Sequence, residues 1–215
     1  HGKILGRSAL PLRASKNFLL PRNLKSYICN SVAKLRMKME NKTIKDIISR
    51  RSVKKYQSKA VEKELLEEIV KAGTYAPTGR NSQSPIIIAV TQKEMRDRLS
   101  RMNLEIIQGR GLVTSSGHSD PFYGAPVVLV VLAKKDVATR VYDGSLVMAN
   151  MMLAAHSLGL GSCWIHRAKE MFETEEGKHI LRDMGVTEEY EGIGNCIVGY
   201  AAENACKPQV ERKAD

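Results

Sequence analysis

The stretch that decides the fold reads PVVLVVL and occupies residues 126–132. Uninterrupted Val and Leu are typical of a strand buried on both faces, because a strand with one solvent face alternates apolar and polar residues. A second apolar run with strand composition, IIIAVT, occupies residues 86–91. The two runs therefore predict strands that are covered on both faces.

Helical patterns are interleaved with these strands. Residues 143–158 are apolar on nearly every side of a helix, which is typical of a helix in the centre of a domain or in a subunit interface. Other segments predict helices near 43–49 and 65–73 and over 93–108 and 168–184, and strands over 162–165 and 195–200. Because two strand-to-strand passages carry large insertions, the pattern favours an α+β fold with a mixed sheet flanked by helices.

Positive charge is concentrated at the N-terminus. The chain has 215 residues and a formal net charge of +11. Residues 1–38 hold nine basic residues and no acidic one, whereas residues 39–215 hold 25 basic and 23 acidic residues. We expect residues 1–38 to be a basic leader (non-native, mis-started or targeting) and residues 39–215 to be one domain. A nucleic-acid-binding accessory protein is the weaker alternative, since aromatic residues make up only 5% of the chain.

Composition also bears on membranes and metals. The longest strand-like apolar run, residues 125–133, is half the roughly 18 residues that a membrane span needs. The four cysteines, at 29, 163, 196 and 206, show neither C-x-x-C nor zinc-site spacing, which favours buried free thiols in a reducing compartment. We expect a cytoplasmic protein without a metal site, or an organellar one if the leader is a transit peptide.

Two polar clusters could bind a ligand. Arg50, Arg51, Ser52 and Lys54 place three cations and a hydroxyl within five residues, a set that can converge on a phosphate. The proline-bracketed turn over residues 77–83 carries amide and hydroxyl groups that suit the edge of a heterocycle. A solvated charge run and ordinary turn chemistry are the alternatives, and each leads when its cluster is taken alone.

No arrangement of side chains for acid–base or nucleophilic catalysis stands out. The G-x-G patterns at 159–161 and 192–194 both lead into strands, whereas a dinucleotide-binding fingerprint leads into a helix. If the protein is an enzyme, a cofactor would therefore carry the chemistry.

Four motifs together resemble one family. RRSVKKY at 50–56, APTGRNSQ at 76–83, LGLGSCWI at 158–165 and GNCIVGY at 194–200 are similar in order and spacing to the FMN-dependent nitroreductase family. The similarity extends from about residue 43 to the C-terminus. It implies an α+β homodimer with two FMN sites at the subunit interface, in which the flavin carries the chemistry and no side chain is catalytic.

The resemblance assigns roles to particular residues. The FMN phosphate and ribityl chain would be held by Arg50, Arg51, Ser52 and Lys54, and a basic pair, Arg212 and Lys213, would complete that site. The partner's flavin would be approached by Pro77, Thr78, Gly79, Asn81 and Gln83. The isoalloxazine ring would lie beside Trp164, Ile165 and His166, with a backbone N–H near His166 next to the reactive N5.

The resemblance also implies an activity. Hydride would pass from NAD(P)H to the flavin and then two electrons to a nitroaromatic, quinone or similar acceptor, in a ping-pong mechanism. Other flavin chemistry in the same family, such as reductive dehalogenation or flavin remodelling, is the alternative. We expect residues 109–124, with His118, Phe122 and Tyr123, to select acceptors.

The chain departs from the family pattern in three places. It has Ser84-Pro85 where the family often has Pro-Trp, and His166 where the family often has Gly or Glu. It stops at Asp215, whereas family members commonly continue into a tail that wraps the partner subunit, so we expect a shortened C-terminus.

Overall fold

The computed structural model describes residues 41–112 and 120–206. The helices are α1 (Lys42–Ser49), α2 (Lys63–Thr74), α3 (Lys93–Gly109), α4 (Arg140–Ser157), α5 (Ala168–Glu173) and α6 (Glu175–Asp183). The strands are β1 (Ile86–Val90), β2 (Val127–Lys134), β3 (Gly161–Ile165) and β4 (Tyr190–Gly199), and a short 3₁₀ turn covers Gly79–Asn81.

The four strands form one sheet in the order β1-β2-β4-β3. Each neighbouring pair is antiparallel, with Ile88 opposite Val130, Val130 opposite Asn195, and Asn195 opposite Ile165. A parallel bridge between Ser52 and Ser162 adds a short extra pairing beside β3. The α+β class is confirmed. Among the described residues, this bridge is the one parallel pairing in a sheet that is otherwise antiparallel.

Strand β2 is the centre of the hydrophobic core. Seven of its eight residues are buried, as the PVVLVVL pattern predicts. Its odd-numbered residues, such as Leu129, pack with α2 and α4, whereas even-numbered ones, such as Val130, pack with α3, α5 and α6. Side chains on successive strand residues point to opposite faces, so a strand apolar at every position requires helices on both sides.

Strand β1 differs from the prediction for residues 86–91. It is an edge strand, and its residues are half-buried or exposed except Val90. The prediction of burial on both faces is therefore wrong for this strand. Its apolar composition resembles that of β2, but the order of pairing leaves it with one neighbour.

Two other predicted elements have different bounds. The helix predicted over 168–184 is broken at Thr174, whose extended backbone ends α5 and whose hydroxyl accepts the Gly177 N–H at 3.0 Å to cap α6. The last strand begins at Tyr190, so Gly192 and Gly194 lie inside β4 rather than before it.

Helix α4 is only partly enclosed by the rest of the described chain. Val147, Met148 and Met151 are buried in the core, whereas Tyr142 is 73% exposed and Leu146 43% exposed. No helix within residues 41–112 and 120–206 is both long and apolar enough to cross a membrane.

Candidate functional site

A cavity of about 490 Å³ lies where the end of β3 meets the segment after α1. The helix α3 and residues 121–123 form its other walls. It is lined by Ser52, Lys54, Asn103, Ile107, Leu112, Pro121, Tyr123, Cys163, Trp164, Ile165, His166 and Arg167. Five residues that the sequence nominated, Ser52, Lys54, Trp164, Ile165 and His166, are thus brought to one place.

The segment after α1 is held against β3 by backbone contacts. Ser52 pairs with Ser162, and the Val53 N–H donates to the Ser162 carbonyl at 3.0 Å. The approach requires Gly161, because a Cβ at that residue would lie 2.7 Å from the Val53 side chain. This contact places the polar cluster that begins at Arg50 beside the cavity.

Two cations of the cluster, Lys54 and Arg50, act electrostatically on Cys163. Burial raises the pKa of the Cys163 thiol, while the Ser52 hydroxyl and the charges of Lys54 and Arg50 act in the opposite direction. The Arg50 Nη1 atom is buried and has no hydrogen-bond partner among the described residues. Arg50 does not line the cavity itself, but a buried guanidinium nitrogen without an acceptor is costly, so the cluster beside the cavity is suited to an anion.

Arg51 faces another set of atoms. Its Nη1 donates to the carbonyls of Ile48 and Arg50, each at 2.7 Å, where α1 ends. Part of its donor capacity is therefore used at the end of that helix, as cationic side chains commonly are.

The backbone just after β3 is held by a residue that the sequence analysis did not propose for the site. Asn103 on α3 is fully buried and donates from Nδ2 to the His166 carbonyl at 2.7 Å. The sequence feature that could have identified Asn103 is its position on the buried face of α3, together with Leu99 and Met102. A polar residue on an apolar helix face usually has a specific partner.

The turn at residues 77–83 does not line this cavity. It precedes β1, and β1 is separated from β3 by two strands, a distance of about 14 Å at the usual spacing. Pro77, Thr78, Gly79, Asn81 and Gln83 therefore do not join the other nominated residues within one subunit.

The turn is instead built on α4. Its backbone is left-handed at Arg80, Asn81 and Gln83. The buried Asp143 carboxylate accepts the Gly79 N–H at 2.9 Å and the Thr139 hydroxyl at 2.8 Å. The sequence suggested Asp143 only as the start of a helix, whereas the structure gives its carboxylate the role of holding the turn.

The remaining nominated residues lie in other places. Arg212, Lys213 and His118 are outside the described residues. Tyr123 lines the cavity, whereas Phe122 is buried in the core at 2% exposure. The Asp120 carboxylate accepts the backbone N–H of Phe122 at 2.8 Å and thereby fixes the start of this wall.

Comparison with known proteins agrees with the fold and the motifs. A sequence model described as the Nitroreductase family matches residues 47–200. A relative in Methanothermobacter thermautotrophicus, provisionally named an NADH dehydrogenase/NAD(P)H nitroreductase, is 29% identical over 162 residues, which are 74% of this chain and 76% of the relative.

Solved structures give the same result. A Bacteroides fragilis nitroreductase with bound FMN has a TM-score of 0.72 and 28% identity, covering 81% of this chain and 96% of its own. A Desulfitobacterium hafniense nitroreductase with bound FMN has a TM-score of 0.72 and 26% identity, with the same two coverages of 81% and 96%. Since the family model spans well over half of the sequence, the chain belongs to the nitroreductase family.

Proposed function

We propose that the protein is an FMN-dependent oxidoreductase that takes hydride from NAD(P)H and reduces nitroaromatics, quinones or similar acceptors by a ping-pong mechanism. Two similar solved structures contain FMN, and the name of the archaeal relative includes NAD(P)H. The observation that carries the proposal is the buried, unpartnered nitrogen of Arg50, a residue that acts electrostatically on Cys163 and precedes Ser52 and Lys54, which line one end of the cavity.

The residues at that end fit the phosphate of FMN. Arg50 offers a guanidinium nitrogen that has no acceptor among the described residues, Ser52 offers a hydroxyl and Lys54 an ammonium. A phosphate dianion supplies oxygens for all three, and hydrogen bonds between charged groups are the stronger ones. Arg212 and Lys213 would add further positive charge, as the family resemblance implies.

The rest of the cavity fits a flat ring. Trp164, Ile165 and Tyr123 give it aromatic and aliphatic walls, and such walls with a few polar groups are typical of cofactor sites. When bound, FMN supplies the redox chemistry, carrying two electrons from NAD(P)H to the acceptor in two half-reactions. The chain's own part is to hold the ring, to exclude water and to offer backbone N–H groups near His166.

Two features support a homodimer. Helix α1 exposes Ile44, Ile47 and Ile48, and α4 exposes Tyr142 and Leu146, so this subunit leaves apolar helix faces uncovered. The turn at 77–83 does not line the chain's own cavity, and it precedes β1, which two strands separate from β3. A second copy packed on these faces would bring its turn, with Thr78, Asn81 and Gln83, to this cavity.

Domain limits and location belong to the same proposal. We place the flavin-binding domain at residues 39–215 and treat residues 1–38 as a separate leader. The protein would be cytoplasmic, or organellar if that leader is a transit peptide.

The decisive experiment is the visible spectrum of the purified protein before and after anaerobic addition of NADH or NADPH. We expect flavin absorption bands that bleach on reduction and return when a nitroaromatic acceptor is added. Flavin that binds but is not reduced by either nucleotide would support another flavin chemistry. A colourless protein that takes up no FMN would refute the proposal.

Variants locate the phosphate site. Arg50→Gln and Lys54→Gln should each weaken FMN binding by roughly ten- to a hundredfold, since each removes a charged hydrogen bond. Lys55→Gln is the matched control, because Lys55 is exposed and lies outside the cavity lining. Equal effects of the Lys54 and Lys55 variants on the FMN dissociation constant would contradict the assignment.

A further inference from the structure

The cavity contains a cation that the FMN phosphate does not account for. Lys54 and Arg167 both line it, and no carboxylate is found among the described lining residues. Ser52 pairs in parallel with Ser162, so Lys54 is expected near Trp164, whereas Arg167 lies beyond the end of β3, three residues further along the chain. One phosphate near Arg50 and Lys54 therefore leaves Arg167 for another purpose.

The backbone at Arg167 favours a residue without a side chain. Its φ of 80° and ψ of 9° are in the left-handed region. That conformation is unfavourable for a non-glycine residue, whereas glycine adopts it without penalty. The chain thus keeps an arginine side chain at a position where glycine would be more stable, which points to a use for the guanidinium group.

The charge around Arg167 is not fully compensated. Its Nη1 lies 3.0 Å from Glu170 Oε1, and Arg110 Nη2 lies 3.0 Å from the same oxygen. One carboxylate thus serves two guanidinium groups, which leaves one excess positive charge beside the cavity. A guanidinium has five N–H donors, so Arg167 can bind a further anion while it keeps Glu170.

The neighbouring wall is apolar. Ile107 and Leu112 line the same cavity, and the end of α3 that carries Ile107 approaches Arg167 through the shared partner Glu170 of Arg110. Apolar walls of low dielectric strengthen the field of a nearby cation and favour an aromatic body with an anionic substituent. Resting on the proposed oxidoreductase function, we propose that Arg167 makes this site selective for aromatic electron acceptors that carry a carboxylate.

Two acceptors of nearly equal shape test the proposal. Para-nitrobenzoate and para-nitrobenzamide differ mainly in the charge of one substituent. In the FMN-loaded enzyme with NAD(P)H, we expect kcat/KM for the carboxylate to exceed that for the amide about tenfold, as one charged hydrogen bond provides. Arg167→Gln should abolish this preference.

Two further variants separate selectivity from damage to the fold. Arg167→Gly relieves the left-handed backbone and should lose the preference in a protein at least as stable as the parent. Lys169→Gln removes a positive charge two residues away, from a lysine that pairs with Glu191 and lies outside the cavity lining. It should keep the preference.

Calorimetric titration of benzoate and benzamide needs no turnover. Tighter binding of benzoate that is lost in both Arg167 variants would support the inference even if redox activity were absent, in which case the proposed function alone fails. Turnover of both acceptors with an unchanged ratio in Arg167→Gln would overturn the inference and leave the oxidoreductase proposal intact. Equal binding of benzoate and benzamide to the parent protein would overturn it as well.

Discussion

Replacing Asp143 should release the turn at residues 77–83. Its carboxylate is 3% exposed and accepts two hydrogen bonds, from the Gly79 N–H and the Thr139 hydroxyl. Hydrogen bonds to a charged group contribute about 1.5–3 kcal/mol each, and the lower end applies because both donors are only half-buried. The two bonds therefore contribute about 3 kcal/mol.

The backbone strain of the turn is of about the same size as the free energy of these two hydrogen bonds. Arg80, Asn81 and Gln83 have φ between 47° and 54°. Left-handed backbone costs a non-glycine residue roughly 1 kcal/mol, or about 3 kcal/mol for all three. The two hydrogen bonds to the carboxylate thus offset a backbone strain of about equal size. Without the carboxylate nothing compensates that strain, so the turn is expected to relax.

We expect Asp143→Ala to lower the free energy of unfolding by about 1–2 kcal/mol, because a turn that relaxes recovers part of its backbone strain and the carboxylate no longer has to be buried. Asp143→Asn can still accept from Gly79 and should cost about 1 kcal/mol. Urea unfolding at one fixed protomer concentration measures both, since a dimer's stability depends on concentration.

The control is Asp183→Ala. Asp183 lies at the end of α6, where it pairs with His179 at 59% exposure, and its loss should change the unfolding free energy by less than about 0.5 kcal/mol. The turn is also expected to reach the partner's flavin, so Asp143→Ala should weaken FMN binding in the dimer. If Asp143→Ala is as stable as Asp183→Ala, the carboxylate does not hold the turn.

Two other predictions concern acid stability and thiol reactivity. The Tyr200 hydroxyl, with the Glu62 backbone N–H and Lys59, lowers the pKa of Glu62 from 4.5 to about 2, so its contribution is present above about pH 4.5 and is lost as pH falls towards 2. Glu62→Gln should flatten the fall of the urea midpoint over that range. Burial raises the pKa of Cys163, and that of Cys196 to about 12, so iodoacetamide at neutral pH should label exposed Cys206 first.

For each of these two predictions, one result would contradict it. An unchanged acid limb in Glu62→Gln would show that its interactions do not persist in solution; Glu203→Gln, at an exposed site, is the comparison. Peptide mass spectrometry resolves the cysteines, and full labelling in denaturant is the reference. Labelling of folded Cys163 as fast as Cys206 would contradict its burial. The prediction that cysteines are buried is already wrong for Cys206, which is exposed.

The local residue pattern correctly predicted those elements whose surroundings are the same along their whole length. PVVLVVL is apolar at every residue because β2 has helices on both faces, and this holds in the structure. Four short motifs were sufficient for the family, because the order and spacing of several weak signals are more specific than any one of them. The roles assigned to individual site residues stay predictions.

The local residue pattern did not predict the surroundings of residues whose contacts are with residues far away in the sequence. Residues 86–91 have the composition of a central strand, yet β1 is at the sheet edge, because strand order is set by pairing across the chain and not by the strand itself. The same holds for Asn103, whose partner is 63 residues away, and for Asp143, whose partner Gly79 is 64 residues away.

The sequence by itself determined an α+β chain with a buried central strand, a cationic cluster after the first helix and a polar turn before β1. Tertiary structure decided which of these meet. Pairing and packing bring Ser52 and Lys54 of the cluster to one cavity with the end of β3, whereas the turn is held on α4 and does not line that cavity. The physical reason is that hydrophobic periodicity records which face of an element is buried, whereas the neighbour that covers it depends on long-range pairing and packing.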